Sequence, residues 1–274
     1  MKLSSTEKKR LQMRYGTWAV VTGGSSGIGL ELATQLASAG FHLVLNSRQI
    51  EKLQAVANQL HQLYGVEVRP VAADMATDEG RAQLIAATEG LPVGLLVVSA
   101  GYGTSGKLLT NALREEVEML RVNCEALLVL THHFSQQFVA QRRGGIILLS
   151  SMVAFQGVPF AANYAATKAY VQSLAEALAV ELKPHQVDVL AAAPGPVASG
   201  FGQRADMQMA MTLKPEQVGV PILKALGRKT TVLPGLLTKL LVYALRTVPR
   251  WGKVLIMQQV MGGMTAHQQK EKVG

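Results

Sequence analysis

Tyr164 and Lys168 stand four positions apart in Tyr164-Ala165-Ala166-Thr167-Lys168, a segment whose spacing predicts a helix. Residues so spaced share one helix face, with Cβ atoms roughly 5–6 Å apart. An ammonium that close favours a phenolate, so Lys168 is expected to draw the Tyr164 pKa down from its ordinary value of about 10. A phenol tuned toward neutrality can act as a general acid. A second cluster carries different chemistry: Thr22-Gly23-Gly24-Ser25-Ser26-Gly27-Ile28-Gly29 follows an apolar run and leads directly into a helical pattern. Glycines at 23, 27 and 29 permit a tight turn, a close approach of backbone to ligand and close helix packing. The free N–H groups and the helix dipole favour a pyrophosphate. Gly23, Ser25, Ser26, Gly27, Ile28 and Gly29 are the expected contacts.

These groups need a scaffold, and the chain alternates short β-rich runs with segments of helical period. The apolar runs are Trp18 to Val21, Leu43 to Leu45, Val66 to Val71, Leu95 to Val98, Ile146 to Leu149 and Val187 to Ala191, with a short strand expected at Thr230 to Leu233. Leu30 to Ala39, Glu51 to Leu63 and Glu115 to Ala140 are helical, and another helix starts near Pro215. Continuously apolar strands separated by helices predict an α/β fold, a single doubly wound parallel sheet of Rossmann type with helices on both faces.

The 274 residues suit one domain with a substantial core. We divide them into a basic arm at 1–15, expected to be solvated, a cofactor-binding and catalytic domain at 16–234, and a C-terminal helical extension at 235–274. The net charge is +9. Its excess is dispersed except at the two ends and is not interleaved with aromatics, so nucleic acid is not an expected partner. The N-terminal segment lacks the apolar core of a secretory signal, and charges interrupt every apolar stretch before it could span a bilayer. A single cysteine, Cys124, excludes an internal disulfide framework and fits a reducing compartment. The expectation is a cytoplasmic protein, peripheral to a membrane at most.

The Gly-x-x-x-Gly-x-Gly loop and Tyr-x-x-x-Lys together resemble the short-chain dehydrogenase/reductase family, from about Trp18 to Leu233. The resemblance implies further positions. Ser151, thirteen residues before Tyr164, would polarise a substrate carbonyl, and Asn123 would organise a water and Lys168, completing a tetrad with Tyr164 and Lys168. Asp74-Met75 would hold the adenine, Ala100-Gly101 would line the cofactor, and Pro194-Gly195-Pro196-Val197 with Ser199 would lie at the nicotinamide. Arg48, at the end of the second strand where an acid would select NAD, can pair with a 2′-phosphate. NADP is therefore the expected cofactor. Val98-Ser99-Ala100-Gly101 departs from the family's Asn-Asn-Ala-Gly and predicts altered local hydrogen bonding.

Within the family the chain looks like the branch of oxoacyl and ketosteroid reductases. That implies NADP-dependent hydride transfer between nicotinamide and a hydrophobic carbonyl or alcohol by a homo-oligomer paired through its long helices. The alternative class is an NADP-binding sensor or scaffold with little turnover. Met207, Met209 and Met211 are expected in a substrate lid, facing Gln156, Val158 and Phe160. No metal is expected, because His132 and His133 are adjacent on a helix and diverge, and Cys124 reads as a structural thiol. Leu237, Leu240, Leu241, Ala244 and Val248 form an apolar stripe beside Lys239, Tyr243, Arg246 and Arg250, with Trp251 following. Three occupants fit the stripe: an anionic membrane, the chain's own pocket or a partner subunit.

Overall fold

A computed structural model describes residues 1–270. The strands are β1 (Trp18–Thr22), β2 (His42–Ser47), β3 (Val68–Ala72), β4 (Val93–Val98), β5 (Gly144–Leu149), β6 (Val187–Ala192) and β7 (Thr231–Val232). They form one parallel sheet in the order β3-β2-β1-β4-β5-β6-β7. The order reverses between β1 and β4, and that switch point opens a ligand crevice at the strands' carboxyl ends.

The helices are α1 (Ser5–Tyr15), α2 (Gly27–Ser38), α3 (Ile50–Tyr64), α4 (Asp78–Ala86), α5 (Leu113–Leu120), α6 (Leu127–Gln141), α7 (Ala162–Glu181), α8 (Phe201–Arg204), α9 (Pro215–Ala225), α10 (Leu236–Ala244), α11 (Arg250–Met264) and α12 (Ala266–Lys270). Alternation along β1 explains the layers. Ala19 and Val21 join Leu32, Leu36, Leu53 and Val218 in the core beneath α2, α3 and α9. Trp18 and Val20 join Leu130, Phe134, Phe138 and Val171 beneath α6 and α7. None of the described helices is long and apolar enough to cross a membrane.

Residues 1–15 are not a solvated arm. Leu3, Leu11 and Tyr15 are buried in the first core, and Arg10 donates to the Leu223 and Leu226 carbonyls at 2.9 and 2.8 Å. Arg14 pairs with Asp188, which also accepts from the Tyr15 hydroxyl at 2.8 Å. Burying Leu11 alone contributes about 1.5–3 kcal/mol. The segment is part of the domain, docked as α1.

The expected helix from Glu115 to Ala140 is continuous but not regular. Between α5 and α6, residues Arg121–Ala126 form a π turn, an insertion that reorients the side chains around it. Asn123 lies inside it. Residues 271–274 of the expected C-terminal extension lie outside the described residues.

Candidate active site

Strand β5 is followed directly by Ser150 and Ser151, and the two hydroxyls have different tasks. The Ser150 hydroxyl donates to the Lys168 carbonyl at 3.1 Å and is consumed in holding α7 to the sheet. Ser151 opens a short 3-10 turn, Met152–Phe155, and its hydroxyl faces the Tyr164 phenol. Tyr164 and Lys168, one turn apart on α7, are 8% and 7% exposed. The turn therefore brings a hydroxyl, a phenol and an ammonium to one buried place.

The expected tuning of the phenol differs in the structure. Lys168 Nζ gives its hydrogen bond to the Leu149 carbonyl at 2.7 Å and lies 5.9 Å from the centroid of the Tyr164 ring. Burial dominates both groups: it pushes the Tyr164 phenol up to about 12, against a lowering contribution from Ser151. Burial likewise pulls Lys168 down to about 8. The ammonium is directed at the end of β5, so in this geometry Ser151 is the neighbour that eases ionisation of the phenol.

Asn123 has its amide fully engaged. Its Oδ1 accepts from the Tyr102 N–H at 3.1 Å, while Nδ2 donates to the Tyr102 carbonyl at 2.8 Å and to Thr167 Oγ1 at 3.0 Å. It thus ties the loop after β4 to the residue preceding Lys168. Gly101 must be glycine for this, because a Cβ there would lie 2.9 Å from Asn123 Oδ1 and 3.5 Å from Lys168 Nζ. The side chain positions Lys168 through α7 and does not itself hydrogen-bond to it.

The cofactor crevice is built largely from backbone. Gly23 and Gly27 adopt φ of 67° and 58°, which side chains rarely tolerate. A Cβ on Gly27 would lie 2.8 Å from Ser199 Cβ, so the loop with Ser25, Ser26 and Ile28 packs against the segment following β6. A Cβ on Gly29 would collide with the Gly23 carbonyl. Ser99 and Ala100 both donate their N–H groups to Thr22 Oγ1, at 3.1 and 3.0 Å. A threonine on β1 therefore holds the loop that the altered 98–101 motif leaves without its amides.

Arg48 lies 3.8 Å from Glu118 and is half-exposed at the crevice. Asp74 accepts from the Ala76 N–H at 3.0 Å, and buried Arg81 donates to the Met75 carbonyl at 3.1 Å, shaping the turn after β3. Across the crevice the Pro194 carbonyl accepts from Met152 N–H at 3.0 Å, Gly195 abuts Thr238, and Val197 bridges to Leu213. The glycine loop, the ends of β2, β3 and β4 and the 194–199 segment all occur at the same end of the sheet. This crevice of exposed backbone at the strand ends fits a dinucleotide.

Around the phenol lies an apolar cluster. Tyr164 packs with Tyr102, Met119, Val158, Met257 and Met261, and the Phe201 ring stands 5.2 Å away. Of the expected lid methionines, Met207 packs against this cluster, whereas Met211 is 71% exposed. Gln156 is held by the Met152 carbonyl at 3.3 Å, and Phe160 lies at the edge of the cluster. Within the expected helical extension, sequence reasoning did not single out the packed face of α11, whose Met257, Met261 and Met264 recur at 4- and 3-residue steps. Arg204 was also missed: its guanidinium caps the Tyr102 ring at 4.0 Å.

Among the described residues no group of three His, Cys, Asp or Glu side chains is placed to hold a metal. Burial raises the Cys124 thiol, and its Sγ lies 3.9 Å from the Thr167 carbonyl.

The family model for short chain dehydrogenase matches residues 17–210. The chain belongs to that family. As a short-chain dehydrogenase it is 30% identical over 232 residues to the 7β-hydroxysteroid dehydrogenase of Collinsella aerofaciens, covering 82% of this chain and 88% of that one. It is 39% identical over 184 residues to the very-long-chain 3-oxoacyl-CoA reductase of Podospora anserina, covering 64% of this chain and about half, 53%, of the fungal one. Among solved structures, one from work on 7β-hydroxysteroid dehydrogenase stereoselectivity superposes with a TM-score of 0.84 at 27% identity, covering 90% of this chain and 98% of that one. A short-chain dehydrogenase from Sphingobium yanoikuyae in complex with NADPH superposes with a TM-score of 0.79 at 28% identity, covering 84% and 92%. The family match takes in the glycine loop, the strand ends and α7, while α10 and α11 lie beyond it.

Proposed function

We propose that this short-chain dehydrogenase uses NADPH to reduce a hydrophobic ketone of oxoacyl or steroid-like type, with Asn123, Ser151, Tyr164 and Lys168 as its working residues. The observation that carries this reading is the buried Tyr164 phenol, faced by Ser151 and set in an apolar cluster with Met119, Met257 and Met261. When bound, the nicotinamide supplies the hydride for the carbonyl carbon. Ser151 donates a hydrogen bond to the carbonyl oxygen, and Tyr164 breaks its O–H bond to deliver the proton there, leaving a phenolate. Donors aimed at an oxygen whose charge grows during reaction lower the barrier selectively. Because burial holds the phenol at about 12, Tyr164 carries the proton across the physiological range. Lys168 and Tyr164 hold the cofactor's ribose, and Asn123 keeps Lys168 in place through Thr167.

Arg48 supports NADP over NAD. It meets a 2′-phosphate in exchange for its long contact with Glu118, and Arg204 adds positive charge on the same side. The phosphate loop from Gly23 to Gly29, Asp74 and Met75, Ala100 and Gly101, and the residues Pro194, Gly195, Val197 and Ser199 form the rest of the cofactor site. Half-exposed Leu128, Val129 and Tyr170 on α6 and α7 support pairing of two copies through those helices. The unpaired Cys124 fits work in a reducing cytoplasm.

Steady-state oxidation of NADPH and NADH across ketones graded in size tests the reading. We expect turnover with NADPH that rises with the bulk and apolarity of the ketone. Tight NADPH binding without turnover on any ketone would transfer the protein to the sensor or scaffold class.

A further inference from the structure

Between Glu216 and Glu271 the sequence carries eight Lys and Arg and no acidic residue. Helices α10 and α11 fall inside that stretch, and each has two faces. Thr238 and Val242 of α10, and Met257 and Met261 of α11, are buried against the domain. On the other side Leu236, Leu237, Leu240 and Leu241 are exposed, Leu240 by 64%. Trp251, Leu255, Ile256 and Val260 are likewise exposed on α11, Trp251 by 70%. The stripe expected from the sequence therefore covers neither the pocket nor the sheet. Soluble monomers rarely leave this much apolar surface open without a use for it.

The cations beside it are placed with the same regularity. Lys239, Tyr243 and Arg246 of α10 border a groove of about 1310 Å³, whose far wall includes Arg142, Lys183, Arg228 and Lys229 and one further carboxylate, Glu176, held by Gln172 and Thr231. Arg228 is paired with Glu7, and Arg14, deeper in the groove, with Asp188. Among the described residues, Arg142, Lys183, Lys229, Lys239 and Arg246 have no carboxylate partner. The groove and the two helices together want an anionic occupant with an apolar layer beside it.

A second copy of this chain does not meet that need. A two-fold contact would set the acid-free stretch against itself, and like charges at such an interface repel. An anionic bilayer meets both demands at once: acyl chains accept the leucines, the headgroup region suits a tryptophan, and lipid phosphates attract the lysines and arginines. We propose that the exposed faces of α10 and α11, with the cationic groove beside α10, form a docking surface for anionic lipid. Because the inner face of α11 packs in the cluster that contains Tyr164, a docked molecule holds that cluster one helix away from the lipid. The surface stands on charge and exposure alone and does not require the proposed substrate.

Flotation of the full-length protein with vesicles tests it, using phosphatidylcholine alone and phosphatidylcholine mixed with phosphatidylglycerol. Binding is expected to the mixed vesicles, to weaken with added salt, and to be slight on phosphatidylcholine alone. Each neutralised cation near the surface weakens binding about fivefold, so Lys239→Gln with Arg246→Gln is expected to reduce it roughly thirtyfold. Leu240→Glu with Leu255→Glu is expected to abolish binding while leaving circular dichroism and NADPH affinity unchanged. Absence of wild-type binding to the mixed vesicles would overturn the proposal, as would retention of binding in both double variants. Sedimentation showing that Leu240→Glu with Leu255→Glu splits a dimer would assign the face to a second copy and overturn it equally. Since the readout is binding and not turnover, failure here leaves the catalytic reading untouched.

Discussion

Lys168 Nζ donates to the Leu149 carbonyl at 2.7 Å. That bond anchors the ammonium to the strand whose next two residues are Ser150 and Ser151, so the lysine, the tyrosine one turn before it and the serine are fixed relative to one another by α7 and β5. Tyr164 and Lys168 are carried by one regular helix, and Ser151 by the turn that follows β5 directly.

The two serines separate by role. Ser151→Ala removes the hydroxyl facing the phenol and is expected to lower kcat by about 10²–10³, the usual cost of deleting a donor aimed at a developing oxyanion. Ser150→Ala removes the bond to the Lys168 carbonyl and is expected to lower stability by about 1–3 kcal/mol with kcat nearly unchanged. Steady-state kinetics and urea melts of both variants check this pair. The reverse pattern would move the substrate-side donor to Ser150.

Cofactor preference rests on Arg48. Arg48→Ala is expected to weaken NADPH binding by roughly 10–100-fold, the value of a charge-assisted hydrogen bond, while NADH binding changes little. Fluorescence titration with each cofactor measures the two affinities. Equal losses for both would show that Arg48 is not reading the extra phosphate.

Burial of Lys168 has a pH consequence whose sign can be worked out. Its folded pKa, about 8, lies below its ordinary value of 10.5. The unfolded chain therefore binds the proton more tightly between those limits, and stability rises with pH there. The penalty of burying a charge is fully present below pH 8 and gone above 10.5. Thermal melts of wild type and Lys168→Met from pH 7 to 10 are expected to show the gap moving in favour of wild type by about 3 kcal/mol. Comparing the two proteins cancels the opposing effect of Tyr164, whose raised pKa removes stability only above about 10.

Much of this was readable in the residues. Most of the strands are buried on both faces and read as continuous apolar runs, and all seven lie within a few residues of their expected places, including the less buried β3 and β7. The Gly27 and Gly29 positions carry their steric reason in the backbone, and Ser151, which the family resemblance singled out, lies against Tyr164, one turn before Lys168. The misses have physical causes. α1 is highly charged and offers only Leu11 and Tyr15 to the core, with Leu3 just before it, and its anchoring carbonyls at Leu223 and Leu226 are remote in sequence. The π turn around Asn123 leaves no mark on hydrophobic period. The sense of the Tyr164 shift is set first by burial, which a four-residue spacing does not specify. Arg204 sits in a one-turn helix whose place against Tyr102 is set by tertiary contacts.

The central claim is that Tyr164 delivers the proton in an NADPH-dependent carbonyl reduction. Tyr164→Phe keeps the ring that packs with Tyr102, Met257 and Met261 and deletes only the hydroxyl. Stopped-flow measurement of NADPH oxidation under single-turnover conditions, with a bulky ketone, is expected to show the rate fall by about 10²–10⁴ or more while the NADPH dissociation constant stays within a few-fold of wild type. A Tyr164→Phe rate within a few-fold of wild type would contradict the account.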